Sequence, residues 1–281
     1  MRCRIPRPLD SSRLVQTFTD IVRYRFVLEN LVAKNLKALY RNMALGFFWS
    51  ILNPLVMAAV LTAVQVFMYP DGGGARRAGF LLVALIPYNF FAYCLSGCAN
   101  SVLGNASLVT KVCFPRQILP VSVIVTNLVH FAIQSSLILL ALLLFPPPGQ
   151  WFGWQLLWLP AILVVHIGLA MGLGLLVAGL NVVYRDVQYI VESTMTVMFW
   201  VCPLIYDPVE TGSWARAPEW AFWLYYSNPL AGLIDSYRHV LYYGKPPDLG
   251  VLLLAFAMTL LIGACGVRSF WKHEHRFADL L

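Results

Sequence analysis

Charge is what this sequence has least of. Only 12% of its 281 residues are Asp, Glu, Lys or Arg, against about 25% in a soluble domain. Between Arg77 and Arg185 the only charges are Lys111 and Arg116. Carboxylates are scarcer still, and the one candidate within an apolar run is Glu192, just past its inner boundary. Ion-coupled transporters and pumps usually carry acidic groups inside their spans, so ion coupling is disfavoured. Gly72, Gly73 and Gly74 are followed by no Gly-Lys-Ser/Thr, which removes a phosphate-binding loop. Leu95-Ser96-Gly97 looks faintly like part of an ATPase signature but lies inside an apolar run, and reads as chance. His273 and His275 are two apart, off a common helix face, and read as solvated tail rather than metal ligands. The six cysteines show no paired framework; Cys94 and Cys98, one turn apart with no His or acid beside them, read as packing residues. No nucleophile–base pair is convincing. These absences point away from an enzyme, including one acting on lipid-linked sugars, which needs an acidic or His cluster near one interface.

What is present is apolar: 59% of residues are hydrophobic and the mean hydropathy is +0.70. One soluble core cannot hide this much surface, so the expected fold class is all-α, a polytopic membrane protein. Six transmembrane helices are expected, near residues 44–68, 80–103, 121–145, 154–180, 189–205 and 249–270. Pro54 should kink the first by removing a backbone donor. The fourth carries Gly168, Gly172, Gly174, Ala178 and Gly179, a spacing that lets a neighbouring backbone come close. The first apolar run begins only after about residue 43, so no cleavable signal is expected. Three parts follow: a cytoplasmic tail with an amphipathic interface helix (1–43), the six-helix domain (44–270) and a cytoplasmic tail (271–281).

From Ser12 to Arg41, Leu28, Leu31, Val32, Leu36, Leu39 and Tyr40 share one face, and Glu29, Lys34, Lys37 and Arg41 fall mostly elsewhere. The basic side suits anionic lipid rather than nucleic acid; packing on a partner protein is the alternative. Asn105 to Pro120 is short, polar and held between two spans (loop 104–120). With both termini inside, fifteen Lys/Arg fall on the cytoplasmic side and five outside, which favours an even span count. In that topology the Asn105-Ala106-Ser107 sequon faces the cytoplasm. Residues 206–247 are too polar for one span and too aromatic for an ordinary loop. Ser227-Asn228-Pro229 is a strong helix start, and Gly244 and Pro246 a stop. Two short helices are expected here at the outer boundary.

Several stretches in order resemble the permease subunit of ABC-2 type polysaccharide exporters, the O-antigen, capsule and teichoic-acid family. They are Leu31 to Pro54, Leu85 to Phe91, Asn105 to Pro120 with its Lys-x-x-Phe-Pro-Arg core, Asn181 to Asp186, Pro203 to Tyr206 and Asn228 to Arg238. Asn35, Tyr88 and Cys202 depart from residues common in that family. The resemblance implies an N-terminal interface helix, a cytoplasmic coupling helix between spans two and three, and two outer gate helices, each of which the residues had already suggested. It implies a transport subunit whose partner ATP-binding cassette subunit binds ATP and Mg; this chain is expected to bind no cofactor and no metal.

One six-helix unit is too slim to enclose a glycan path, so the expected assembly is a homodimer with two ATPase copies, membrane lipid around it and a lipid-linked glycan as substrate. The expected site is the bacterial inner (cytoplasmic) membrane. Leu108, Lys111, Phe114, Pro115 and Arg116, with Lys34, Lys37 and Arg41, are the expected ATPase-coupling residues. Phe114 would enter a partner pocket, Pro115 stiffen the lever, and Lys111 and Arg116 meet acidic groups; a loop that merely reverses the chain is the alternative. Tyr88, Phe90, Phe91, Phe199 and Trp200 are expected to wall the path, with simple packing or lipid contact as the alternative. Trp220, Trp223, Tyr226 and an Asp235–Arg238 pair are expected at the outer gate. A teichoic-acid or small-molecule exporter of the same architecture and a lipid-scaffold protein are the competing classes.

Overall fold

The computed structural model describes residues 23–40, 48–68, 76–112, 114–146, 153–206, 218–274 and 277–280. Arg41, Trp214, the start of the interface helix and most of the 69–78 loop lie outside the described residues. The helices are α1 (Arg25–Tyr40), α2 (Phe48–Met68), α3 (Arg76–Ser101), α4 (Ala106–Lys111), α5 (Ile118–Leu144), α6 (Trp158–Val183), α7 (Val187–Val201), α8 (Glu219–Tyr226), α9 (Pro229–Leu241), α10 (Leu249–Glu274) and α11 (Phe277–Leu280). Among the described residues there is no strand.

Five helical segments are long and apolar enough to cross a membrane: Trp49–Phe67, Arg77–Ser101, Ile118–Leu144, Trp154–Val183 and Leu249–Glu274. The expected fifth span is α7, and at 15 residues it is not one of them. Its length of about 22 Å falls short of a hydrocarbon core of about 30 Å. The helix stops where Cys202 turns extended (φ −72°, ψ 152°), because Pro203 follows and disfavours the helical conformation in the residue before it.

α3 is the hub. Its residues Phe80 to Leu95 are buried nearly throughout, against α5, α6, α7 and α9. α2 is the opposite case: most of its apolar residues are exposed, and among its described side chains only Pro54, Ala58 and Gln65 are buried. Pro54 leaves the carbonyl of Ser50 without its helical donor, and Gln134 on α5 supplies one at 2.8 Å. The small residues of α6 do what their spacing suggests. A Cβ on Gly172 would lie 2.7 Å from Gly263 Cα, and one on Gly266 would land on the Gly172 carbonyl, so α6 and α10 touch backbone to backbone. Gly174 meets Cys98 of α3 and Gly179 meets Phe270 of α10. The buried cysteines on α3 are therefore packing groups.

Chain direction gives the bundle two ends. One, the loop end, carries the 102–117 connection, the α6–α7 turn and the end of α10. The other carries the end of α7 with α8 and α9. A second, smaller core sits at the loop end, built from Leu31, Val102, Val109, Phe114, Ile118, Leu119, Leu175, Ala178, Val182, Val267, Phe270, Trp271 and Phe277.

Candidate transport path and coupling surface

The connection between α3 and α5 is a 3-10 turn (Leu103–Asn105), the short helix α4 and a loop. It is fastened on three sides. Lys34 of α1 donates to Asn105 Oδ1 at 2.6 Å, and Asn35 to Ser122 Oγ at 3.4 Å. Arg116 donates to the carbonyl of Glu274 at the end of α10, and its guanidinium stands 5.9 Å from the ring of Phe277. Phe277 packs edge-on against Phe270, with ring centroids 5.4 Å apart. The expected solvated C-terminal tail is thus corrected in part: Trp271, Glu274 and Phe277 are buried against this connection.

Phe114 does not stand ready for a partner pocket. It is 6% exposed, inside the loop-end core, and Pro115 is buried beside it. The reason is hydrophobic: the ring closes the space between α1, α5, α6 and α10. Among its described residues the connection shows Gly104, Ser107, Thr110, Lys111 and Val112 to solvent, with Leu108 half-buried. Lys34 and Lys37 are exposed on α1 nearby. The outward face is therefore basic, and the expected apolar anchor points inward. Asn181 completes this end: its amide donates to Ala99 O at 2.8 Å and its Oδ1 accepts from Gln188 N at 3.1 Å, tying the α6–α7 turn to α3.

The expected path aromatics separate into two groups. Phe90 and Phe91 are buried and pack around the ring of His166, at 5.0 and 6.1 Å, with Phe131 and Tyr237 beside them. They wall no open surface of the protomer, because both rings are themselves buried. The second group forms a row. Tyr88, buried, donates its hydroxyl to Met195 O and meets Phe199 edge-on at 5.7 Å; Phe199 meets Trp200 at 5.4 Å. Trp200 is 64% exposed. Around it α7 exposes Ser193, Thr196 and Val197, so this face offers hydroxyls and a ring together.

At the opposite end, α9 starts as its sequence demands: Asn228 Oδ1 accepts from Leu230 N at 3.2 Å with Pro229 in the first turn. α9 is not a boundary helix, however. Leu230 to Arg238 are all buried against α3, α6 and α10. α8 carries the exposed aromatics, Trp220 and Trp223, and Tyr226 is buried. Tyr225 shares a 3.1 Å hydroxyl contact with Tyr206. Burial, and then that contact, pushes its phenol above the ordinary range, so it remains a neutral hydroxyl. Asp235 accepts His239 at 3.4 Å. Arg238 spends its donors on the carbonyls of Pro203, Leu204 and Tyr206 and stacks on Phe80. Sequence spacing alone suggested its neighbour Asp235; the carbonyls lie over thirty residues away and give no local signal.

Among the described residues no three His, Cys, Asp or Glu gather as a metal site. The arrangement is a membrane bundle with a basic fastened loop at one end and an aromatic–hydroxyl face on a short helix. With five helices long and apolar enough to cross a membrane, it defines a multi-pass membrane protein, and the comparisons specify which kind. The chain belongs to the ABC-2 type transporter family, whose model matches residues 27–242. It is 30% identical over 270 residues to the O-antigen export system permease protein RfbA of Myxococcus xanthus, covering 95% of this chain and 99% of that protein. Two proteins of the same description from Klebsiella pneumoniae are 27% and 26% identical over 257 and 258 residues, each spanning 88% of this chain and 92% of the relative.

Proposed function

We propose that this chain is the permease subunit of an ABC exporter that carries a lipid-linked polysaccharide of the O-antigen type across the bacterial cytoplasmic membrane. The observation that carries the reading is the near full-length similarity to three O-antigen export permeases. Two copies pair, and the path runs between them. Each is driven by a separate ATPase subunit that binds ATP and Mg. The loop end faces the cytoplasm with both termini, and α7, continued by residues 202–206, serves as the sixth crossing. The outer gate helices are α8 and α9.

The ATPase seats on the basic face formed by Lys111, Lys34 and Lys37, with Arg41 on the same segment. Leu108, Phe114, Pro115 and Arg116 stiffen that seat from behind, because their contacts tie it to α1, α5 and α10. Trp200 and Phe199, backed by Tyr88, form the wall along which sugar C–H faces slide, while the neighbouring Ser193 and Thr196 hydroxyls meet the sugar hydroxyls without trapping them. In cells lacking the chain, the lipid-linked glycan should accumulate inside, and plasmid-borne chain should restore surface glycan. Trp200→Ala should slow restoration with the assembly intact. Normal surface glycan in the deletion strain contradicts the proposal.

A further inference from the structure

Between Cys202 and Tyr206 the backbone leaves the helix yet stays inside the protein, with Cys202, Pro203 and Leu204 all buried. Non-helical backbone at this depth is tolerated only where its polar groups find partners. Here four consecutive carbonyls are taken by two side chains. Arg238 Nη2 donates to Pro203 O at 2.6 Å and Leu204 O at 3.2 Å, and its Nη1 to Tyr206 O at 3.3 Å. Gln65 Nε2 donates to Ile205 O at 2.6 Å, and Gln65 Oε1 accepts from Arg77 Nη1 at 3.4 Å. The Arg238 side chain is fully buried and its Cζ lies 3.8 Å from the centre of the Phe80 ring. The planar guanidinium is the side chain suited to this: it offers several fixed donors and an apolar stacking face, which an ammonium lacks. At the head of α9, the Asn228 amide points at Cys202 Sγ and Met198 Sδ, each at 3.5 Å.

We infer that Arg238 and Gln65 form a clamp on the 203–206 carbonyls, and that Arg238 is the positioning residue that keeps the far end of the path shut. This rests on the reading of α8–α9 as the outer gate. The run is shared between two helices, α9 through Arg238 and α2 through Gln65. Movement of α9 away from α2 must break one set of bonds, so the segment cannot follow both. α9 is in turn pressed on α10, where a Cβ on Gly232 would lie 3.0 Å from Val251. α10 reaches back to the Arg116 contact at the loop end. A displacement there has a packed route to the clamp, and opening it frees the end of α7.

Cys202 reports on the clamp because it is wholly buried immediately before the clamped carbonyls. The other five cysteines are replaced by serine in the full exporter, and intact cells are treated with a membrane-impermeant maleimide. Arg238→Met should raise the labelling rate of Cys202 by about tenfold or more relative to the parent, Arg238→Lys by less, and Gln65→Leu modestly, since it frees one carbonyl. Chain abundance should be unchanged, a split that a purely structural role would not give. Gln65→Leu decides the matter if the arginine variants fail to accumulate. Faster labelling only when reagent is given to inverted vesicles supports the clamp and overturns the outward placement of α8–α9. Unchanged labelling from both sides overturns the clamp.

Discussion

Gly172 and Gly266 set how closely α6 and α10 approach. A methyl on Gly266 lands on a backbone carbonyl, which no rotamer change can relieve, whereas one on Gly104 meets nothing within 4 Å. Gly266→Ala should therefore destabilise the purified chain by about 1–3 kcal/mol, read as a lower melting temperature in detergent, while Gly104→Ala leaves it unchanged. Equal melting for both variants contradicts the crossing. This contact was half legible in the sequence: the small residues of α6 announce a close neighbour, and nothing in their spacing says that α10 is that neighbour. The same holds at Pro54. The sequence announces the lost donor, but only the fold brings Gln134 to the Ser50 carbonyl.

At the scale of elements, the α3–α5 connection divides its residues between two tasks. Phe114 belongs to the core, and Lys111 to the surface. Phe114→Ala should cost about 3–5 kcal/mol of stability. Lys111→Glu should leave melting alone and weaken co-purification of the ATPase subunit. The reverse pattern, with Phe114→Ala stable but unable to hold the ATPase, would restore Phe114 to the interface. Composition could not tell the two apart, because an aromatic in a polar loop is the signature of an anchor whichever way it points. α9 teaches the same limit. Its cap, its proline and its stop were all readable, since each is a local backbone effect. Its burial was not, because a short helix with Asp235, Arg238 and His239 reads as polar until the carbonyls of 203–206 are found above it. α7 stops at 15 residues for a local reason that was in view, the Pro203 that ends it.

At the scale of the whole molecule, a basic surface lies at one end and an aromatic segment bonded by Arg238 and Gln65 at the other. α10 joins them: it is 26 residues, about 39 Å, long, bonded to Arg116 at its end and packed on α9 at its start. Its glycine contact with α6 is backbone to backbone, and in the proposed mechanism the pair carries a force applied at the loop end. The exposed apolar face of α2 and the exposed face of α7 are the surfaces that the proposed assembly leaves for lipid, a second copy and the glycan. The account stands or falls on where the motor touches. A photo-crosslinking amino acid placed at Lys111, and separately at the exposed Trp220, tests this in living cells. The account predicts an adduct with the ATPase subunit from position 111 and none from position 220. An ATPase adduct at 220, or its absence at 111 with export intact, would contradict it.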